Sequence, residues 1–526
     1  MSPGTPDLQL LERWKAIIGH THNIRKRDLP FETAKQELVA WARARNIAAV
    51  GVGSPWEPES AAAYLRYEGE ERDRYYAGAL EVQALMHRES IARLFADLNA
   101  MSGGDTLFYQ DNETPKSRMG HAWWFGYHYD VPAWHDYSQD RPVQYWSHDP
   151  EQELNALTGT PHRRRSQLEI TAIQRAAGAV GVFAHPTSWW LQGDRFVTNI
   201  ASQIALFLLA DGYLDGLAVM GYGAHRRWYQ KLWFHLLDTG AVVPGFAEGD
   251  YLLDWAGTYK LARAFRNVCD IPGPIDISGI VAATKRGACF VSTGGFLAIS
   301  VDGTGMGGSV RTRADQVHRL RIEAYPRSGQ EYFSRIEVIG RGGAVLASEA
   351  RFPGGTIEYQ LTGRDEPHYV VVRAFGQTDD PDAETEQEIV DLTMSNPVYL
   401  HPQGFSFAAQ TTRFTVDVRT DSQWLGGTVE LQRADGTIIE AHAIRPGQLV
   451  AELPASARVY LRKHGRADEY FYIAMENPAV QDLLDYLSKG HFRRDHPDLE
   501  PGQVPPEAFH LSEMRTALRA SRFSLE

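Results

Sequence analysis

The sequence predicts an α/β protein: a parallel sheet or barrel wrapped by helices, followed by a β-sandwich-like domain. Three observations carry this expectation. Strand-like and helical segments alternate up to about residue 289. Near residue 290 the pattern changes to short alternating strands with Gly and Pro turns. Polar residues also recur at the same end of successive strand-like segments of the first half. At 526 residues the chain is long enough for two or three domains.

In chain order, "AIIGHTH" reads as a strand. "FETAKQELVAWARARN" follows with helical spacing of Leu38, Trp41 and Ala42, and Asn46 as its stop. "IAAVGVGS" is strand-like, and a polar helical region runs to about Asn99. "DTLFYQDNE" and "GHAWWFG" read as strands, then a helix from about Ser166 to Ala176 leads into "GAVGVFAHP". A helix near 200–210 precedes "LDGLAVMGYG", and "RRWYQKLWFHLLDTG" leads into "AVVPGFAEGD". Repeated strand–helix alternation of this kind builds a parallel sheet or barrel. The boundaries read as a barrel over 1–289, a β-sandwich-like domain over 290–402 and a small β unit over 403–475. A helical, Pro-rich tail over 476–526 would wrap back onto the barrel or onto a neighbouring subunit of a homo-oligomer.

Composition excludes several classes. A formal charge of -13 argues against a nucleic-acid partner, whose phosphates call for clustered Lys and Arg. The basic run from His162 to Arg165 reads as a solvated helix-flanking patch. Cys269 and Cys289 are the only cysteines, which leaves no Cys-based zinc motif; free buried thiols are expected unless the fold brings the two together to pair. The N-terminus lacks a basic start and apolar core, so a cytoplasmic location is expected as written, or a periplasmic or secreted one if a leader precedes it. The most apolar window carries Asp211 and Asp215, which suits a buried helix and strand rather than a membrane span. Several of the 13 Trp lie beside His or Gly, in segments such as "HAWWFGYHYD" and "TSWWLQGD", where they either line a pocket for a ring or sugar or pack beneath loops.

The chemistry collects at the strand ends. His20 and His22, one residue apart, point the same way from the first strand. Asp111 and Glu113 close the third, His121 lies on or near the next, His185 closes "GVFAHP", and Glu248 and Asp250 close "VVPGFAEGD". Strand C-termini converge on one face of a parallel α/β barrel. Imidazoles and carboxylates gathered there call for a cation to offset repulsion and desolvation. Without thiolates, the donors suit Zn²⁺, Mn²⁺ or Fe²⁺. Glu113 would bridge two such ions.

These segments, in order, resemble the PHP superfamily (polymerase and histidinol phosphatase), and most closely its CehA/McbA-type metallohydrolases. The resemblance rests on "GHTHN", "DNETPKSRMGHAWWFG", "GVFAHP", "RRWYQKLWFHLLDTGAVVPGFAEGD", "ATKRGACFVSTGGFLAISVDG" and "MSNPVYL", and covers about 20–402. It implies a distorted seven-stranded (β/α) barrel with His20, His22, Glu113, His121, His185 and Asp250 as metal ligands. The chain departs from the pattern in three places. "GVGSPW" stands where Thr-Asp-His is usual, Leu252 stands two residues after Asp250 where His is usual, and Ile18 and Gly19 precede the first His. Those losses leave one or two metals.

The reading is a metal-dependent hydrolase in which a metal-activated water attacks an ester, carbamate, amide or phosphoester bond. The substrate would be a small molecule bearing an aryl or glycosyl ring. His225 would protonate the leaving group or contact substrate, with a surface-loop role as its alternative. His128 and His148 are candidates to replace a lost ligand. Arg226 and Arg227 would clamp an anionic group or form a helix N-terminal surface pair. His87, His235 and His368 read as structural. Two rivals stand: a metal-dependent lyase or isomerase on a sugar-like substrate, and a catalytically degenerate carbohydrate-binding protein.

Overall fold

The computed structural model describes residues 12–21, 31–52, 88–113, 122–126, 174–184, 189–192, 195–198, 214–221, 230, 233–234, 236–238, 240–249, 265–377, 391–407, 411–422, 425–432, 438–454, 458–462, 469–472 and 522–525. The first half contributes β1 (Trp14–Ile18), β2 (Ala49–Val52), β3 (Leu107–Glu113), β4 (Ala122–Phe125) and β5 (Val180–Phe183). The hairpin β6 (Trp189–Gln192) and β7 (Arg195–Thr198) follows, then β8 (Gly216–Met220), β9 (Gly245–Ala247), β10 (Arg266–Asp270) and β11 (Cys289–Ser292). Helices α1 (Phe31–Ala44) and α2 (Arg88–Ser102) fall where apolar spacing predicts them. Asn46 ends α1 as expected: it is left-handed (φ 52°), and Ile47 N–H closes on the Ala42 carbonyl at 3.0 Å.

The sheet runs in the order β10–β1–β2–β3–β4–β5–β8–β9, and it is mixed rather than parallel throughout. β1–β2, β2–β3, β5–β8 and β8–β9 are parallel; β3–β4, β4–β5 and β1–β10 are antiparallel. The reversal at β4 has a local cause. The connection over 114–121 is too short for the crossover that parallel pairing needs, so the chain turns straight back. Among the described residues no backbone ladder joins β9 to β10. The side-chain amide of Asn267 bridges them instead, accepting from Ala247 N–H and donating to the Ala247 carbonyl, each at 2.8 Å.

The two faces of this sheet are buried differently, as period-2 alternation demands. Ile18, Val50, Phe108 and Trp124 pack with Leu38, Val39, Leu94 and Phe95 of the helices. Ile17, Ala49, Tyr109, Trp123, Val182 and Phe246 meet in a separate cluster that includes Ile280 and Ala283 of α3 (Ile277–Lys285). α1 and α2 are tied by the buried Lys35, whose ammonium lies 2.7 Å from Glu32 and 3.3 Å from Asp97. Asp215, which interrupts the apolar window, accepts the Gly181 N–H at 2.9 Å and so links β8 to β5. No helix among the described residues is long and apolar enough to cross a membrane.

Beyond β11 the chain is strand-rich, as the change of pattern predicts. β12 (Phe296–Val301), β13 (Thr304–Gly305), β15 (Val317–Tyr325) and β18 (Gly355–Thr362) form one sheet. β14 (Ser309–Thr312), β16 (Phe333–Ile339), β17 (Val345–Phe352), β19 (His368–Phe375), β20 (Leu392–Ser395) and β21 (Val398–Pro402) extend the large sheet from β11. Alternate residues of β15 (His318, Leu320, Ile322, Ala324) turn inward, and the last three share a core with Ile336, Val338, Val370, Val372 and Leu400. Further strands, β22 (Thr411–Val418) to β27 (Glu469–Tyr472), fall in two smaller sheets. The described end of the tail, β28 (Arg522–Leu525), pairs parallel with β22 rather than with a strand of the first half.

The cysteines correct the expectation of free thiols. Cys269 in β10 and Cys289 in β11 face each other in an antiparallel pair, with Cα atoms 4.0 Å apart, and form a disulfide. The neighbouring Asp270 N–H bonds the Ala288 carbonyl, so the cysteines occupy a non-hydrogen-bonded pair, the closer of the two antiparallel spacings. Their 20-residue separation concealed this, because adjacency came only with the strand register.

Two buried histidines give the fold a pH dependence. Burial lowers the His368 ring below its ordinary value, helped by Arg364 and His318 and opposed by the Glu366 carbonyl and carboxylate. Burial likewise lowers His401, helped by Arg311 and His368 and opposed by a hydrogen bond to the Gly240 backbone. The unfolded chain therefore binds more protons below about pH 6.5, so stability falls with pH from there down through the lowered folded values. Asp215 and Asp238, both raised by burial, act in the opposite sense and favour the fold in acid. A variant comparison isolates the histidines. Between pH 7.5 and 5, thermal unfolding of the wild type is expected to shift down further than that of His401→Phe/His368→Leu. Parallel curves would remove these histidines from the account.

Candidate functional site

The site begins where β1 ends. After Ile18 pairs with Val50 the strand leaves the ladder, and His20 takes a left-handed conformation, φ 56°. For a residue with a Cβ this costs roughly 1–2 kcal/mol, so the surroundings must hold it there. Four neighbouring segments do so. The His20 N–H donates to Asp111 Oδ2 of β3 at 2.7 Å. The Thr21 hydroxyl donates to the Gly51 carbonyl of β2 at 2.6 Å. Gly249 N–H, beyond β9, donates to the Gly19 carbonyl at 3.1 Å. From β4, Trp123 lays its ring near-parallel to the imidazole, with centroids 6.0 Å apart, and donates its indole N–H to Asp111 Oδ2 at 3.1 Å.

The imidazole itself meets Glu248. Nδ1 lies 2.9 Å from Glu248 Oε2, and the two side chains are 1% and 0% exposed. With an ionised carboxylate as acceptor, Nδ1 carries the proton and Nε2 is the basic nitrogen. Asp111 is also 0% exposed. Its charge, added to burial, pushes the Tyr109 phenol well above its ordinary value. Two buried carboxylates and one imidazole thus share one end of the sheet, the end to which β1, β3 and β9 all point.

Close packing at this end depends on two glycines. A Cβ at Gly51 would lie 2.2 Å from Asp111 Oδ2, and one at Gly19 would lie 1.9 Å from Trp123. Neither contact is tolerable without movement.

Of the residues expected at the site, His20 is placed here, and Glu248 joins it as the strand-end reading anticipated. Glu113 is placed by its backbone, opposite Trp123 in the β3–β4 register. His22, His121, His185, Asp250 and His225 lie outside the described residues, as do His128, His148, Arg226 and Arg227. The adjoining described residues Thr21, Ala122, Ala184 and Gly249 are all buried. Asp111, like Glu248, stands at a strand end in the sequence, outside the expected ligand set. Its signal was its place two residues before Glu113, on the same strand face. Trp123 and Trp124 lie on β4, where "GHAWWFG" reads as a strand, and both are fully buried, which favours the packing reading of these aromatics over pocket lining.

The donors present are those a borderline divalent ion takes. An imidazole whose Nδ1–H is held by a carboxylate presents Nε2 in the manner of metal-ligating histidines. Asp111 Oδ2, occupied by two N–H donors, acts as a buttress. Among the described residues no group of three or more His, Cys, Asp or Glu is placed to hold a metal ion.

No protein-family model matches the chain, and no curated protein matches it. Among solved structures, BcpA, the major pilin subunit of Bacillus cereus, is similar at 9% identity with a TM-score of 0.13. The match covers 34% of this chain and 64% of the pilin. The apo structure of Bacteroides uniformis beta-glucuronidase 3 is similar at 8% identity and a TM-score of 0.19, covering 87% of this chain and 62% of that one. This chain therefore spans less than two thirds of the length of either structure, and scores so low carry no argument about fold or activity.

Proposed function

We propose that the chain is a PHP-like, metal-dependent hydrolase acting on an ester, carbamate, amide or phosphoester bond of a ring-containing small molecule. One observation supports this above the others: the His20 imidazole, oriented through Nδ1 by the buried Glu248 carboxylate, sits where β1, β3 and β9 end together. His22, Glu113, His121, His185 and Asp250 complete the proposed ligand set, with Glu113 bridging. One or two divalent ions, Zn, Mn or Fe, would supply Lewis acidity and a water of lowered pKa. His225 would hold the proton that the leaving group takes. In the same reading residues 1–289 would form a distorted (β/α)7 barrel, flanked by a β-sandwich-like domain over 290–402.

Elemental analysis of metal per chain tests the proposal, on wild type and on His20→Ala/His22→Ala purified without a histidine tag. Near-stoichiometric Zn, Mn or Fe is expected in the wild type and its loss in the variant. Turnover of aryl esters, carbamates or phosphoesters in ¹⁸O-water should then place the label in product; turnover without label would favour the lyase or isomerase. A wild type that takes up no metal after reloading would end the hydrolase reading.

A further inference from the structure

We infer that Asp111 is the positioning residue of this site. Its carboxylate holds His20 in the one backbone conformation that brings the imidazole to Glu248. The inference rests on the metal-site reading above and adds to it a residue outside the proposed ligand set.

The argument is geometric. His20 is left-handed at a position buried from water, so its N–H needs an acceptor supplied by the fold. The acceptor is a single atom, Asp111 Oδ2, at 2.7 Å. That same atom takes the Trp123 indole N–H at 3.1 Å, and Trp123 is the ring against which the imidazole lies. One oxygen thereby sets both the backbone of His20 and the surface on which its side chain rests. The room for it comes from Gly51, where a Cβ would stand 2.2 Å from the oxygen. Gly51 is tied in turn to the next residue of the turn, since its carbonyl accepts the Thr21 hydroxyl. Asp111, Trp123 and Gly51 form one unit around a strained histidine.

Because both donors converge on one oxygen, an amide oxygen can replace it. Asp111→Asn should keep the positioning, whereas Asp111→Ala should lose it. The readout is the dissociation constant for Zn²⁺ or Mn²⁺, measured on the full chain by chelator competition, with near-ultraviolet circular dichroism of the metal-free protein reporting on Trp123. Asp111→Ala is expected to weaken metal binding by about 10- to 100-fold, the range for residues that orient a ligand, and Asp111→Asn by less than about threefold. Gly51→Ala, which crowds the same oxygen, should weaken binding like Asp111→Ala in the wild type and add little in the Asp111→Ala background. That comparison between Gly51→Ala and Asp111→Asn serves even if Asp111→Ala fails to fold.

Equal losses in Asp111→Asn and Asp111→Ala would overturn the inference, since the charge rather than the acceptor would then matter. So would wild-type affinity in Asp111→Ala or Gly51→Ala. Either result, with metal still bound by the wild type and lost in His20→Ala, leaves the metal-site reading standing. A wild type without metal sinks that reading and this inference together.

Discussion

Asn396→Ala is expected to destabilise the protein by about 2–5 kcal/mol, because the buried N–H and carbonyl of Gly245 lose their partner at about 1–3 kcal/mol each, while the Cys289 carbonyl keeps the Asn396 backbone N–H at 3.4 Å. Asn396 is buried between β9 and β11. Its Oδ1 accepts the Gly245 N–H at 2.6 Å, and its Nδ2 donates to the Gly245 carbonyl at 3.1 Å and the Cys289 carbonyl at 2.9 Å. No backbone ladder among the described residues joins β9 to β11, so this amide substitutes for one. Urea unfolding should show a lower midpoint with an unchanged slope. Asn396→Asp is informative as a second variant. It keeps the acceptor for Gly245 N–H but turns a charged oxygen toward two carbonyls, so its penalty should grow as pH rises through the carboxylate range. A loss below about 1 kcal/mol in Asn396→Ala would mean that β9 is held by other contacts. The consequence reaches the site, since Glu248 directly follows β9.

On the proposed metal-site reading, Glu248→Ala is expected to weaken divalent-metal binding by about 10- to 100-fold, and the proposed hydrolytic turnover with it. The substitution removes the acceptor of His20 Nδ1–H and frees the imidazole to change tautomer and turn. Glu248→Gln retains an oxygen at the same distance from Nδ1 and should fall between the wild type and Glu248→Ala. General damage is measured separately, as metal-free stability. Glu248→Ala leaves the buried His20 Nδ1 without this acceptor, so a metal-free stability loss of about 1–3 kcal/mol is expected, and metal affinity is read on the folded fraction. A large loss of metal-free stability, with metal affinity unchanged in the folded fraction, would reduce Glu248 to a packing residue.

The alternation of strand and helix, the change of pattern near residue 290 and the stop at Asn46 were legible in the sequence, because each depends on local periodicity or on one residue's backbone preference. The polar ends of β1, β3 and β9 were legible for the same reason. Strand direction was only partly so. The reversal at β4 follows from the shortness of the 114–121 connection, a local feature that the strand–helix rhythm obscured. The tail's return to β22, and the Cys269–Cys289 pair, were hidden because they join segments whose adjacency is set by register.

The two glycines make the same division within the site. Gly19, and the segment "GVGSPW" that begins at Gly51, are departures from the pattern that the chain resembles. In three dimensions the two glycines are spaces occupied by Trp123 and Asp111. By itself the sequence determined which residue types reach the strand ends, because side-chain alternation is a property of each strand alone. Only the tertiary structure decided that Asp111 buttresses His20 and that Glu248 orients it. Those roles depend on distances between residues 91 and 228 positions apart, which no local preference encodes.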